Sequence, residues 1–462
     1  MQRLLAIAWL TWKAAFRFRL FLVVAVLLLA AVVGLPLLLK DDGTARGFTQ
    51  ILITYTLSVI TALLGLSTLW LSCGTLARDI EECQIQVVAT KPIARWQIWL
   101  GKWIGIMSLN AALLALSGAS VYGLLQWRAN KLPAAEQKVL REQVLVARGV
   151  AKGLNYNSEI DTQTEQLLQE RLKETQVSSV DLPEVRRQIR EQVKANYQLV
   201  PPSYTREWRI DLGFVKNFLH NRPLQLRVKF NTAQYSIPSS TFIGLWQVGL
   251  PGTTKLWRSA PMSLSANTYH EFEIPPDLFD SKGVLTIDFL NANNTSLLFP
   301  LEDGIEVLYP EGGFMLNYAR GLMIIFFWMA LLAAIGLTSA SFLSFPVAAF
   351  FSLATLVVVF SSGTLADAVE SGTIMGGNGE TGVMGHSVAD AVLIPAFKGF
   401  LAVIHLVKGF SPIDSLSSGL AIPWSELGMA FVQIVLLLGG IIGLIGIGLF
   451  SRRELATAQG NQ

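Results

Sequence analysis

The chain has 462 residues, 52% of them hydrophobic and only 15% charged, with a mean hydropathy of +0.46. Soluble domains carry about a quarter charged residues, so this composition selects a membrane protein. The net charge of +3 gives no basis for nucleic-acid binding. Cys73 and Cys83 are separated by about 15 Å along a helix, too far for a disulfide.

Residues 1–19 combine Arg3, Lys13, Arg17 and Arg19 with Trp9, Trp12 and Phe16. This pattern predicts an amphipathic helix lying in the membrane interface. A full-length apolar run follows with no small-residue cleavage site, so the segment does not read as a signal peptide. A helix needs about 20 apolar residues to cross a bilayer core. Runs at 20–39, 51–76, 98–125, 314–340, 345–360 and 427–450 predict six spans. The chain then divides into spans one to three (20–125), a polar block (126–313), spans four and five (314–362), an external loop (363–426), span six (427–450) and a tail (451–462). Lys and Arg gather at the span ends near Arg78, Lys91, Arg95, Lys102, Arg452 and Arg453. The positive-inside rule therefore puts both termini in the cytoplasm and the polar block outside, in a bacterium the periplasm. Residues 388–406 are apolar but carry Lys398, with Lys408 close behind. A seventh span there would export the C-terminal arginines, so the segment reads as a re-entrant or interfacial helix on the outer face.

The polar block splits in two. Residues 133–197 read as helices, with Val185, Ile189 and Val193 forming a stripe behind Asp181 and Glu184. Residues 204–310 read as strands of a small β-sandwich. Leu224, Leu226, Val228 and Phe230 alternate with Gln225, Arg227 and Lys229, which buries one face. The run at Asn293 matches a glycosylation sequon and is read as a β-turn. The block has no cysteine, which fits a bacterial exported domain.

The catalytic signals are negative. There is no G-x-x-x-x-G-K-[ST] phosphate loop and no G-x-S-x-G elbow, and the four histidines lack metal spacing. No cofactor or metal site and no enzymatic activity are expected of this chain alone. The spans are nearly free of ionisable residues, which argues against an ion-coupled carrier and for energy supplied from elsewhere. In the second span Thr54, Ser58, Thr61, Gly65, Thr68 and Ser72 form one small, polar seam. It reads either as close helix packing or as a surface facing a translocation path or a dimer interface. Gly439, Gly440, Gly443, Gly446 and Gly448 of the last span read as packing.

The segment 77–103 is the most informative. A helix-like run from Asp79 to Ala89 carries Asp79, Glu81 and Glu82 near its start, Pro92 stops it, and Arg95-Trp96 returns the chain to the membrane. The run Val87-Val88-Ala89-Thr90-Lys91-Pro92-Ile93-Ala94-Arg95, then Leu100-Gly101-Lys102, resembles the cytoplasmic loop of ABC-type-2 transporter permeases. Where that family often has Gly-Thr after the acidic pair, this chain has Cys83-Gln84. The resemblance covers residues 1–125 and 314–455. It implies an α-helical integral membrane protein of six transmembrane helices, and the external α+β domain read above, a helical hairpin plus a β-sandwich, is an insertion outside the resemblance. It also implies an exporter subunit in a bacterial inner membrane that pairs with a second permease copy or close paralogue. A separate cytoplasmic ABC ATPase subunit would bind ATP and Mg and grip a coupling helix at 78–90, with Asp79, Glu81, Glu82, Gln84, Lys91, Pro92 and Arg95 as coupling residues. The external block, outside the resemblance, would bind substrate or a periplasmic partner. The competing reading is a membrane-anchored periplasmic binding or sensor protein acting through its β-sandwich.

Overall fold

The computed structural model describes residues 2–17, 20–38, 44–82, 84, 93–174, 182–232, 241–250, 255–360, 369 and 390–453. It divides into two compact units, Met1–Ala147 with Gly312–Gln462, and Arg148–Glu311.

The first unit is helical. Its elements are α1 (Gln2–Arg17), α2 (Leu20–Leu38), α3 (Ala45–Glu81), α4 (Arg95–Ala129) and α5 (Ala134–Val139). After the second unit come α8 (Phe314–Phe342), α9 (Phe345–Phe360), α10 (Asp390–Lys408), α11 (Pro412–Ser417) and α12 (Trp424–Arg452). Among the described residues four helices are long and apolar enough to cross a membrane: α3, α4, α8 and α12. Shorter apolar stretches lie in α2, α9 and α10. At 1.5 Å per residue α3 is about 55 Å long, well beyond the ~30 Å of a hydrocarbon core. The run beginning at Asp79 is therefore no separate helix at its start but the end of α3. Its N-terminus is capped twice: the Thr44 hydroxyl accepts from Gly47 N, and Glu136 accepts from Ala45 N at 2.8 Å.

Close packing at small residues fixes the bundle. Gly336 of α8 sits against Ser72, and Gly65 of α3 against Leu332, so α3 and α8 run parallel. Gly118 of α4 faces Leu322, the Tyr318 hydroxyl donates to Gly118 O, and Trp103 Nε1 donates to Ala330 O, so α4 is antiparallel to α8. Trp99 of α4 lies over Gly443 and Gly446 of α12, where added Cβ atoms would approach its ring to 3.1 and 3.0 Å. Gly439 and Gly440 instead close a stretch of wider π turns, Phe431–Gly439, and Gly448 faces open space.

Helix α1 follows α4 lengthwise. Ile7 fills the space over Gly101, Thr11 that over Gly105, and Trp12 Nε1 donates to Ser108 Oγ at 2.6 Å. The small residues of α4 admit the α1 backbone to close range. The second unit starts at Arg148, later than the polar block read from residue 126. Helix α4 runs to Ala129, and Leu140 and Val144 pack with Ala45 and Ala129 as part of the bundle.

The second unit is an α+β domain. It contains β1 (Val146–Lys152), which enters from the preceding segment, α6 (Asn157–Glu174) and α7 (Leu182–Gln198). Strands β2 (Leu199–Val200), β3 (Thr205–Asp211), β4 (Leu224–Val228), β5 (Asn231–Thr232), β6 (Thr241–Gly249) and β7 (Leu256–Arg258) follow. The last are β8 (Met262–Ser265), β9 (His270–Ile274), β10 (Val284–Asn291), β11 (Leu297–Leu298) and β12 (Ile305–Gly313). One sheet has the order β1-β12-β4-β9 and another β3-β10-β6-β7, with β8 also on β6. A small third sheet, β2-β11-β5, completes the set. Their inner faces bury Trp246, Phe230, Phe289 and Phe299.

Residues 146–152 are a strand where the sequence reads as helical. Gly149 explains the close fit, because a Cβ there would lie 2.3 Å from the Tyr309 ring of β12. At Asn293 the chain bends, and the side chain pairs with Ile243 through both N–H and C=O, which occupies the amide nitrogen of the sequon. On the polar face of β4 Arg227 is buried, at 7% exposed, while Gln225 and Lys229 are half-buried.

Candidate functional site

The parallel and antiparallel pairings bring one set of helix ends together: the C-terminal ends of α3, α8 and α12 and the N-terminal ends of α4 and α9. Charged side chains clasp them. Lys102 Nζ donates to Asp79 Oδ2 at 2.5 Å and to Thr75 O at 2.7 Å. This joins the last turns of α3 to the first turns of α4 and supplies a cation to the carbonyl end of α3. Glu81 Oε1 accepts from Phe345 N at 2.9 Å, so an anion caps the N-terminus of α9. One turn back, the Arg78 guanidinium lies 4.5 Å from the Phe345 ring centroid.

Arg95 faces the opposite way. Its Nη1 donates to Ser451 O and Arg453 O at 2.7 Å each and to Phe450 O at 3.2 Å. A guanidinium on the last carbonyls of α12 satisfies groups that the helix leaves without partners. Arg453 repeats the arrangement, donating to Ser341 O at 3.1 Å and Ala340 O at 3.4 Å at the end of α8. Five helix ends are thus linked by Asp79, Glu81, Lys102, Arg95 and Arg453.

Of the seven residues picked from the sequence, Asp79, Glu81 and Arg95 hold the bundle to itself. Glu82 is exposed, and Gln84 Nε2 donates to its carboxylate at 2.5 Å. Lys91 and Pro92 lie outside the described residues, as does most of 78–90 beyond Glu82. Lys102 and Arg453 were not among the picked residues. Lys102 stands in the Leu-Gly-Lys run, but its pairing with Asp79 crosses two helices. Arg453 binds backbone carbonyls, which leave no trace in a sequence.

The second-span seam divides. Gly65, Thr68 and Ser72 are buried against α8: Thr68 Oγ1 donates to Leu64 O and approaches Met329 Sδ, and Ser72 fills the space over Gly336. Cys73 extends this polar contact through Ser352 to Ser339. Further along, Ser58 is exposed, Thr54 and Thr61 are half-buried, and Thr61 Oγ1 has no hydrogen-bond partner among the described residues.

At the other end of the bundle Asn317 clamps the chain before α12. Its Nδ2 donates to Leu420 O and its Oδ1 accepts from Ile422 N, both at 2.7 Å. Arg320 adds a bond to Ile422 O and lies over the Trp424 ring.

The second unit carries its own charged array on the sheet β1-β12-β4-β9. Arg148 donates to Glu271 at 2.7 Å and to Gln225 at 2.6 Å, and Arg227 lies between Glu271 and Glu306. Lys152 reaches Glu306 at 3.1 Å. Beside them Lys229 and the Tyr269 hydroxyl both donate to Asp303, at 2.8 and 2.5 Å. Burial alone would raise the Asp303 carboxyl, but these two bonds outweigh it and hold it below the usual range. The same bond raises the Lys229 ammonium. Among the described residues no cluster of three His, Cys, Asp or Glu side chains could hold a metal ion.

No family model matches this chain, and no curated protein or solved structure is similar to it.

Proposed function

We propose that this chain is the membrane subunit of an ATP-driven exporter of the ABC-type-2 permease kind, powered by a separate cytoplasmic ATPase. The observation that carries this reading is the division of roles at the tip of α3. Asp79 and Glu81 bind the neighbouring helices, while Glu82 stands exposed one residue further on. A partner that grips residues 82–94 loads α3 and α4 directly. It reaches α9 through Glu81 and α12 through Arg95. Such a clasp suits a part that transmits force without making it.

On this reading the clasped end is cytoplasmic, in keeping with Arg78, Arg95, Lys102, Arg452 and Arg453 gathered there. Helices α2 and α9 complete six spans in a bacterial inner membrane, and the unit Arg148–Glu311 is periplasmic. Two copies, or this chain and a paralogue, form the transporter, and Thr54, Ser58 and Thr61 lie along the path or the dimer seam. ATP and Mg belong to the partner.

Affinity purification from native membranes, followed by ATPase assay, tests this. A nucleotide-hydrolysing subunit should copurify, and the chain alone should hydrolyse no ATP. Isolation with only a periplasmic ligand would favour the binding or sensor reading.

A further inference from the structure

Asn110 is 2% exposed in the middle of α4, and its side-chain nitrogen has no hydrogen-bond partner among the described residues. An amide donor left unmet inside an apolar bundle is costly, because no solvent reaches it and no carbonyl has turned toward it. Asn110 also lines a small crevice between α1, α2, α3 and α4. The other lining residues are Ala15, Val24, Leu71, Leu109, Leu113 and Ser67. Only Ser67 among them has a polar side chain. Its hydroxyl hydrogen is committed to Leu64 O at 3.0 Å, so the oxygen is left to accept.

We propose that this crevice is a binding site for a single resident water, which accepts from Asn110 and donates to Ser67. The fit decides the ligand. The unfilled space takes about one water molecule, and two polar groups is the smallest set that fixes one. The donor and acceptor are complementary, since Asn110 offers a hydrogen and Ser67 a lone pair. A lipid carbonyl is the wrong source, because Asn110 lies about 12 Å along α4 from Lys102, deep in the apolar stretch and away from the level of ester groups. A bulkier polar ligand does not fit between Val24, Leu71 and Leu113. The water would bridge α3 and α4 half-way along the pair that Lys102 and Asp79 join at its end.

Hydroxyl-radical labelling of the intact protein in lipid nanodiscs, by short X-ray pulses in ¹⁸O-water, reads bound internal water directly. Leu109 and Leu113 should take up label despite their burial, while the fully buried Ile325 does not. Asn110→Leu should abolish the labelling of both leucines. Ser67→Ala removes one oxygen and keeps the fold, and it should lower the labelling too, which guards against misfolding of the first variant. Labelling of Leu109 and Leu113 no higher than that of Ile325, or labelling unchanged in Ser67→Ala, overturns the proposal. So does an elongated lipid or detergent chain in the crevice in a density map.

Discussion

Lys102 holds Asp79 at 2.5 Å while donating to the carbonyl of Thr75, and so binds the tip of α3 to the base of α4. Lys102 is 8% and Asp79 30% exposed, so the pair is screened far less than a surface bridge. Lys102→Met strands a partly buried carboxylate and should destabilise the protein by about 2–3 kcal/mol. Asp79→Asn should cost less, and the double variant should recover part of the loss of Lys102→Met. Thermal unfolding of the four proteins in one detergent measures the coupling. Additive losses would mean that the two residues act separately.

Ser72 and Gly336 define how closely α3 and α8 approach. A Cβ at 336 would lie 1.8 Å from Ser72 Oγ and 2.9 Å from Ser72 Cβ. Gly336→Ala should cost about 1–3 kcal/mol through overpacking. Ser72→Gly in the same protein should restore most of it, whereas Ser72→Ala should restore little, since the Cβ clash remains. Melting temperatures of the three variants check this.

Glu81 and Glu82 are adjacent acids with different duties. Glu81→Ala removes the cap of α9 and should lower stability by about 1 kcal/mol. Glu82→Lys should leave the melting temperature unchanged, because Glu82 is exposed and its described partner is the half-buried Gln84. If the proposed function holds, Glu82→Lys should nonetheless lower ATPase stimulation strongly. Comparing melting with coupled hydrolysis separates the two acids.

In the second unit Lys229 and Asp303 give a signed pH dependence. The Asp303 carboxyl is depressed in the folded state, so its contribution is complete above its unfolded value, near pH 4, and is lost as pH falls through the lower folded value. Lys229 is raised, so its contribution is complete below about pH 10.4 and fades as pH rises through the higher folded value. Hydrogen-exchange protection of β4 and β12 in the full chain, taken relative to the intrinsic rate at each pH, should be greatest between these limits. In Lys229→Met the acid limb should move up in pH, since burial then acts on Asp303 with one donor fewer.

Much of the fold was legible because hydropathy marks apolar cores. It marked them short, because polar turns such as Arg78-Asp79 and Gln126–Arg128 continue the backbone ladder with no apolar signal. The strand at Val146 was hidden between helical segments, since its pairing with β12 comes from more than 150 residues away. Alternation found the inner face of β4 but not the fate of the other. Arg227 reads as solvated until Glu271 and Glu306 from neighbouring strands are placed beside it. At the clasp, sequence reasoning selected Asp79, Glu81 and Arg95 as contacts for a partner. Their partners inside the chain are a distant lysine, a backbone N–H and three carbonyls, none of which a local pattern encodes.

The most direct test of the account is a photo-cross-linking side chain introduced at position 82 and activated in intact native membranes. A covalent adduct with a cytoplasmic nucleotide-binding protein, lost when that protein is deleted, is the expected result. Adducts confined to this chain, to lipid or to a periplasmic protein would contradict it.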